Sequence, residues 1–218
     1  MNIKTFQTLN DLKSFFGFNL NGEILEKDIH LCLDQTDAND RKYHDAEILT
    51  TLAKNLQGNC LEIGTSYGRG AYKLATNTSG KVYTLNALSE QLEGNLTTHA
   101  LKKEEIGLFL KQKRIKNYIQ IYENSKEWII PDDIKNIFLV FIDGCHDRSY
   151  VYLDSKKYFD ILEIKGFILW HDFNPDIRKN PKFFWINESM NGIEDFCKEY
   201  GIKEVFHLKD SWIGFYKK

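Results

Sequence analysis

The sequence has no apolar run long enough to cross a bilayer as a helix, which excludes a helical membrane span within it. It has no excess of either charge. Against 29 Lys+Arg stand 31 Asp+Glu, for a net charge of -2, so bulk electrostatics give no reason to expect nucleic acid or an anionic membrane surface as a partner. Most of the basic residues are Lys, a poor set for bidentate phosphate recognition. Cysteine is sparse: Cys32, Cys60, Cys145 and Cys197 lie far apart with no C-x-x-C. That pattern fits neither a disulfide framework nor a zinc ribbon, and reduced, mostly buried thiols are the expectation. Only three prolines occur beside 14 glycines, which argues against a disordered or collagen-like chain. Residues 1–10 are polar and lack the apolar region of a signal peptide, so the expected location is the cytoplasm. What is present is apolar and aromatic: 42% and 14% of 218 residues, enough to bury a core in one domain or two small ones.

Periodicity organises the rest. Phe6, Leu9, Leu12, Phe15 and Phe16 predict an amphipathic helix over residues 5–18. After a polar stretch, Asp45 is placed to cap a helix whose apolar face is Ile48, Leu49, Leu52, Ala53 and Leu56, with Gly58 just beyond it. Strands are then expected at residues 59–63, 81–85, 118–122, 137–142 and 166–170, and helices at 69–76, 102–115 and 148–162. A helix at residues 190–200 precedes two strands at 203–207 and 212–216, close enough in sequence to form an antiparallel hairpin. Alternating strands and helices predict an α/β chain. Its expected form is a single doubly wound domain over residues 1–218, with a mostly parallel seven-stranded sheet and an antiparallel edge hairpin. Residues 1–45 are assigned to an N-terminal helical cap or lid and 46–218 to the core. Ligands of such sheets bind beyond the carboxyl ends of the strands.

The first of those core strands ends in Gly64-Thr65-Ser66-Tyr67-Gly68-Arg69-Gly70. Glycines there let the chain turn sharply and a ligand approach the main chain, beside the free N–H groups of the next helix. A dinucleotide fingerprint would need G-x-G-x-x-G and a later acidic residue, whereas the next strand ends in Asn86. Gly64 to Gly68 also spells the G-x-S-x-G elbow of serine hydrolases, with Ser66, Asp172 and His207 in a legal order. No earlier strands or oxyanion segment precede it, but the hydrolase reading stays open. A tight turn without a ligand is the bland alternative.

Two further strand ends carry acid: Asp143 and Asp172. On neighbouring strands they would lie ~5 Å apart, where two carboxylates repel unless one is protonated or a cation lies between them. Oxygen ligands in such a place suit Mg2+ or Mn2+; separate loop or cap roles are the alternative. His146, three residues after Asp143, is placed to accept a proton from a hydroxyl. His171 is either a third ligand or turned away, since adjacent side chains of an extended segment face opposite sides. A 2-His-1-carboxylate iron centre from His146, His171 and Asp172 leaves the glycine loop unexplained.

Together, LEIGTSYGRG (61–70), FIDGCHDRSY (141–150) with Asp154 downstream, and GFILWHDF (166–173) resemble class I S-adenosylmethionine-dependent methyltransferases. Within that class they are similar to metal-dependent O-methyltransferases of sugars and natural products. The resemblance runs from about Arg41 to the C-terminal hairpin. It implies a Rossmann-like fold with Glu62, Gly64, Thr65, Ser66, Tyr67, Gly68 and Asp143 around the cofactor. It also implies Asn86 by the ribose, and Asn124 and Ser125 by the adenine. Asp143, Asp172 and His171 become the metal ligands for Mg2+ or Mn2+, and His146 the general base. The implied partner is a small hydroxyl acceptor, with neither nucleic acid nor membrane; self-association is left open. Asn86 departs from the acidic residue usual at that position, and with one acceptor oxygen it implies a weaker hold on the ribose. Aromatic residues at Phe183, Phe184 and Trp185 and at Phe15, Phe16 and Phe18 are assigned to core or lid packing, with stacking on a sugar or ring acceptor as the alternative, and Tyr43 and His44 to a lid over the site.

Overall fold

The computed structural model describes residues 1–25, 44–92, 94, 96, 98 and 100–218. Its centre is β5 (Ile137–Ile142), whose unbroken apolar run suits a strand covered on both faces. Around it pack β2 (Asn59–Ile63), β3 (Val82–Leu85), β4 (Tyr118–Ile121) and β6 (Leu162–Trp170), all parallel. The sheet has eight strands among the described residues, one more than the periodicity predicts. The additional one is β1 (Asn2–Phe6), parallel to β7 (Glu204–Leu208), while β8 (Gly214–Lys217) runs antiparallel between β7 and β6. The full order is β1-β7-β8-β6-β5-β2-β3-β4, so the C-terminal hairpin lies one strand in from the edge.

Side-chain alternation along each strand feeds two apolar layers. Leu61, Ile63, Val140, Ile142, Ile168 and Trp170 face α5 (Arg148–Asp160) and α6 (Phe184–Glu199). Cys60, Leu139, Phe141, Phe167 and Leu169 face α2 (Asp45–Asn55) and α3 (Arg69–Ala75). This is the doubly wound arrangement that the alternation predicts.

The N-terminal helix is real but shorter and differently employed. α1 (Leu9–Phe16) starts at a Thr8–Asp11 capping box and stops at Gly17, whose φ of 70° is left-handed. Leu12 and Phe16 pack on the sheet beside Phe6, Phe206 and Phe215. Residues 2–16 therefore extend and seal one end of the sheet instead of standing over the strand ends. Residues 26–43, including Tyr43 and Cys32, lie outside the described residues. The charged segment 102–115 also differs from expectation: only α4 (Leu108–Gln112) is helical, entered through Gly107 at φ 66°. No helix among the described residues is long and apolar enough to cross a membrane.

Register decides what meets at the carboxyl ends. Leu85 pairs with Ile63, Ile63 with Ile142, and Ile142 with Trp170. The next residues, Asn86, Gly64, Asp143 and His171, therefore emerge side by side, at the point where strand order reverses between β2 and β5.

Candidate active site

The loop after β2 is tied down by backbone bonds. Gly64 N–H and Thr65 N–H both donate to the Leu85 carbonyl, and Gly68 N–H donates to Thr65 O. From the far side, Gly107 N–H and Phe109 N–H donate to the carbonyls of Ser66 and Tyr67. The entry to α4 is thus spent on holding this loop. Ser66 takes a left-handed φ of 48°, and its N–H donates to Asn86 Oδ1 at 2.9 Å. Asn86 Nδ2 in turn donates to Ala87 O at 2.8 Å. An aspartate at position 86 could serve Ser66 but not the Ala87 carbonyl, which gives the departure at this position a structural use. Below the loop, Glu62 is buried and accepts from Thr84 Oγ1 at 2.5 Å. Gly70 leaves room for it: a Cβ there would lie 2.1 Å from Glu62 Oε1.

The two aspartates and two histidines meet in one cluster. His146 Nδ1 donates to Asp172 Oδ2 at 2.9 Å. His171 Nδ1 lies 3.1 Å from Asp143 Oδ1 and 3.2 Å from Asp172 Oδ2. His171 does not turn away from Asp172, because Asp172 itself adopts φ 53° and breaks the extended alternation. Trp185 Nε1 donates to Asp172 Oδ1 at 3.0 Å, and His171 Nε2 reaches Asp45 Oδ2 at 3.2 Å. One atom from each of Asp143, His171 and Asp172 lies within 4.8 Å of the others. The cluster and the glycine loop share a cleft of about 480 Å³, walled by Ser66, Asn86, His146, Trp185 and Trp212. An adjoining cavity of about 290 Å³ reaches Glu62, Thr65, Tyr67 and Gly70.

Residues 61–173, more than half the chain, match the protein family described as "Methyltransferase domain". The chain belongs to this methyltransferase family. Solved structures agree on the fold. The O-methyltransferase NovP superposes with a TM-score of 0.63 at 10% identity, over 80% of this chain and 79% of its own. An O-methyltransferase from Bacillus cereus in complex with SAH gives 0.57 at 16% identity, over 88% of this chain and 90% of its own. At such identities the likeness is one of fold. A comparison with curated proteins gave no match.

In this methyltransferase, burial pushes the Glu62 carboxyl up to about 8, with Thr84 opposing the rise and Asp143 adding to it. Burial alone would lower both imidazoles. The charges of Asp172 and Asp143 outweigh it, raising His146, and raising His171 well above its usual value. Asp172 is the counterpart: burial acts to raise it, and the two histidines hold it well below the carboxylate range.

Asn124 and Ser125 lie apart from the cluster, in a small cavity of about 50 Å³ with Leu85, Asn86, Cys145 and Tyr150. Behind them Asp154 is buried in α5, and burial pushes its carboxyl up to about 7 against the Ser125 hydroxyl, Lys157 and Lys126. The folded pKa lies above the ordinary 3.8, so this group's stabilisation is full at acid pH and is lost as pH rises through about 7. Asp154→Asn should therefore gain about 2–3 kcal/mol over the wild type between pH 5 and pH 8. Melting temperatures at the two pH values check this; parallel profiles would contradict it.

The hydrolase arrangement is not assembled. His207 is buried, its Nε2 beside the Ser211 carbonyl at 3.1 Å, while Asp172 is committed to His146, His171 and Trp185. Asp45 is a residue the sequence pattern misses, since its position before an apolar helical face suggests only a cap. The N-cap of α2 is His44, without a side-chain cap bond, and the Asp45 carboxylate points inward. Trp185 was visible only as part of an aromatic cluster.

Proposed function

We propose that this methyltransferase transfers a methyl group from S-adenosylmethionine to a hydroxyl of a small acceptor, a sugar or a natural-product ring. His146 is the general base, and Asp143, Asp172 and His171 are ligands of a divalent cation. The observation that carries the reading is the shared cleft: a glycine loop shaped for close main-chain approach opens onto a histidine held by a buried carboxylate. S-adenosylmethionine, when bound, supplies a sulfonium methyl group as the electrophile. Around it, Gly64 gives the close approach, Glu62 offers a buried carboxyl to its cationic end, and Asn86 fixes the loop. Asn124 and Ser125 line the small cavity suited to an adenine edge.

The base follows from tautomer geometry. Asp172 accepts from His146 Nδ1, which leaves Nε2 to take the acceptor's hydroxyl proton. Loss of that proton to His146 would leave the oxygen free to attack the methyl carbon, with S-adenosylhomocysteine as the leaving group. Orientation of the two reactants supplies most of the rate.

The donor set also fits a cation. With bonds of ~2.1 Å, adjacent ligand atoms of an octahedron lie about 3.0 Å apart. The His171 nitrogen is 3.1 and 3.2 Å from the two carboxylate oxygens. A divalent ion held there would lower the pKa of a hydroxyl beside it, and the two carboxylates suit Mg2+ or Mn2+. A metal-free reading has one observation in its favour. Protonated on both nitrogens, His171 donates to Asp143, Asp172 and Asp45 and itself supplies the positive charge.

Thermal shift with S-adenosylmethionine or S-adenosylhomocysteine, with and without Mn2+, tests the proposal. At a ligand concentration 100-fold above Kd, binding should add about 2.7 kcal/mol of stability. No shift with either would remove the donor from the site. Turnover should be lost in EDTA and return with Mn2+ or Mg2+; EDTA-resistant turnover would leave the metal-free reading.

A further inference from the structure

We infer that Asp45 is a positioning residue that sets the tautomer of His171 and so keeps the Asp143–His171–Asp172 face open to a cation. The inference rests on the reading of those three residues as ligands.

Asp45 is fully buried in the first turn of α2, and both its oxygens are used. Oδ1 accepts the Trp212 backbone N–H at 2.6 Å, from the turn between β7 and β8. Oδ2 faces His171 Nε2 at 3.2 Å. A carboxylate can only accept, so the proton of a neutral His171 is held on Nε2. Its lone pair is then on Nδ1, the nitrogen that faces Asp143 and Asp172. A carboxylate behind a ligating imidazole orients the ring and raises its basicity. Because Trp212 fixes one oxygen, the carboxylate cannot swing away from the ring without breaking that bond.

Asparagine at this position makes a pointed test. The Trp212 N–H selects the amide oxygen, which turns the NH2 group toward His171 Nε2. Two donors cannot face each other, so the imidazole proton must move to Nδ1, where it points at Asp143 and Asp172 and closes the face to a cation. Alanine removes the acceptor without imposing a donor, but it also strands the Trp212 N–H.

The experiment is Mn2+ affinity by electron paramagnetic resonance of the free ion, beside thermal unfolding, for wild type, Asp45→Asn and Asp45→Ala. Asp45→Asn should weaken Mn2+ binding about 10- to 100-fold, and Asp45→Ala by less. Melting temperature should follow the opposite order, with alanine the lower. A purely structural role predicts alanine as the worse variant in both measurements, and that result overturns the inference. Unchanged Mn2+ affinity in Asp45→Asn overturns it too, while leaving the metal reading intact. Failure of the wild type to bind Mn2+ overturns the metal reading and the inference with it. If Asp45→Asn shows no cooperative transition, Asp45→Ala carries the test: a several-fold loss supports the inference and wild-type affinity overturns it.

Discussion

His146→Ala should lower turnover by about 10²- to 10⁴-fold and leave S-adenosylhomocysteine affinity within a few-fold of wild type. The two readouts separate because His146 lines the large cleft but neither the cavity around Glu62 nor the small cavity at Asn124 and Ser125. The cluster survives the substitution, since Asp172 keeps Trp185 and His171 as partners. Turnover is measured as S-adenosylhomocysteine release across a panel of hydroxyl acceptors, and affinity by calorimetry. Wild-type turnover would remove His146 from the mechanism. Parallel loss of affinity and turnover would make it a structural residue.

Gly64→Ala should abolish donor binding and lower the melting temperature by roughly 10 °C. Two effects combine. Gly64 has φ 99°, where a Cβ costs about 1–2 kcal/mol. That Cβ would also lie 2.0 Å from the Asp143 carbonyl oxygen, a backbone atom that cannot rotate aside. Asp143 N–H is bonded to Ile63 O at 2.8 Å, so relief must pull β2 from β5 at its carboxyl end. Overpacking of that kind costs about 1–3 kcal/mol. Gly17→Ala is the control: φ is positive there too, at 70°, but nothing lies within 4 Å of the added carbon. It should show the conformational cost alone. Equal melting temperatures for the two variants would refute the collision.

Most residues of the candidate site were legible in the sequence as neighbours, because they directly follow apolar runs. Gly64, Asn86, Asp143 and His171 follow strands whose ends the periodicity finds, and His146 and Asp172 lie one to three residues further on. What escaped has physical reasons. β1 is five residues long and overlaps Phe6, which fits the helical spacing of α1 as well. Residues 102–106 are good helix formers by composition, yet Gly107 turns left-handed and is drawn into holding Ser66, so the helix starts only after it. Asp45 sits 126 residues from His171 and 167 from the Trp212 amide, so only the folded topology could reveal its partners. Parity along an extended strand would separate His171 from Asp172; the left-handed backbone at Asp172 brings them to the same side.

The register row joining Leu85, Ile63, Ile142 and Trp170 divides the chain into parts that tolerate change differently. A residue inserted within any of those strands would lift one member of the site out of line with the rest and reverse its facing. Residues inserted beyond the row, in the segments after Asn86 or Phe173, leave the line intact. Length in those segments is therefore free to vary, while strand length is held fixed by the register.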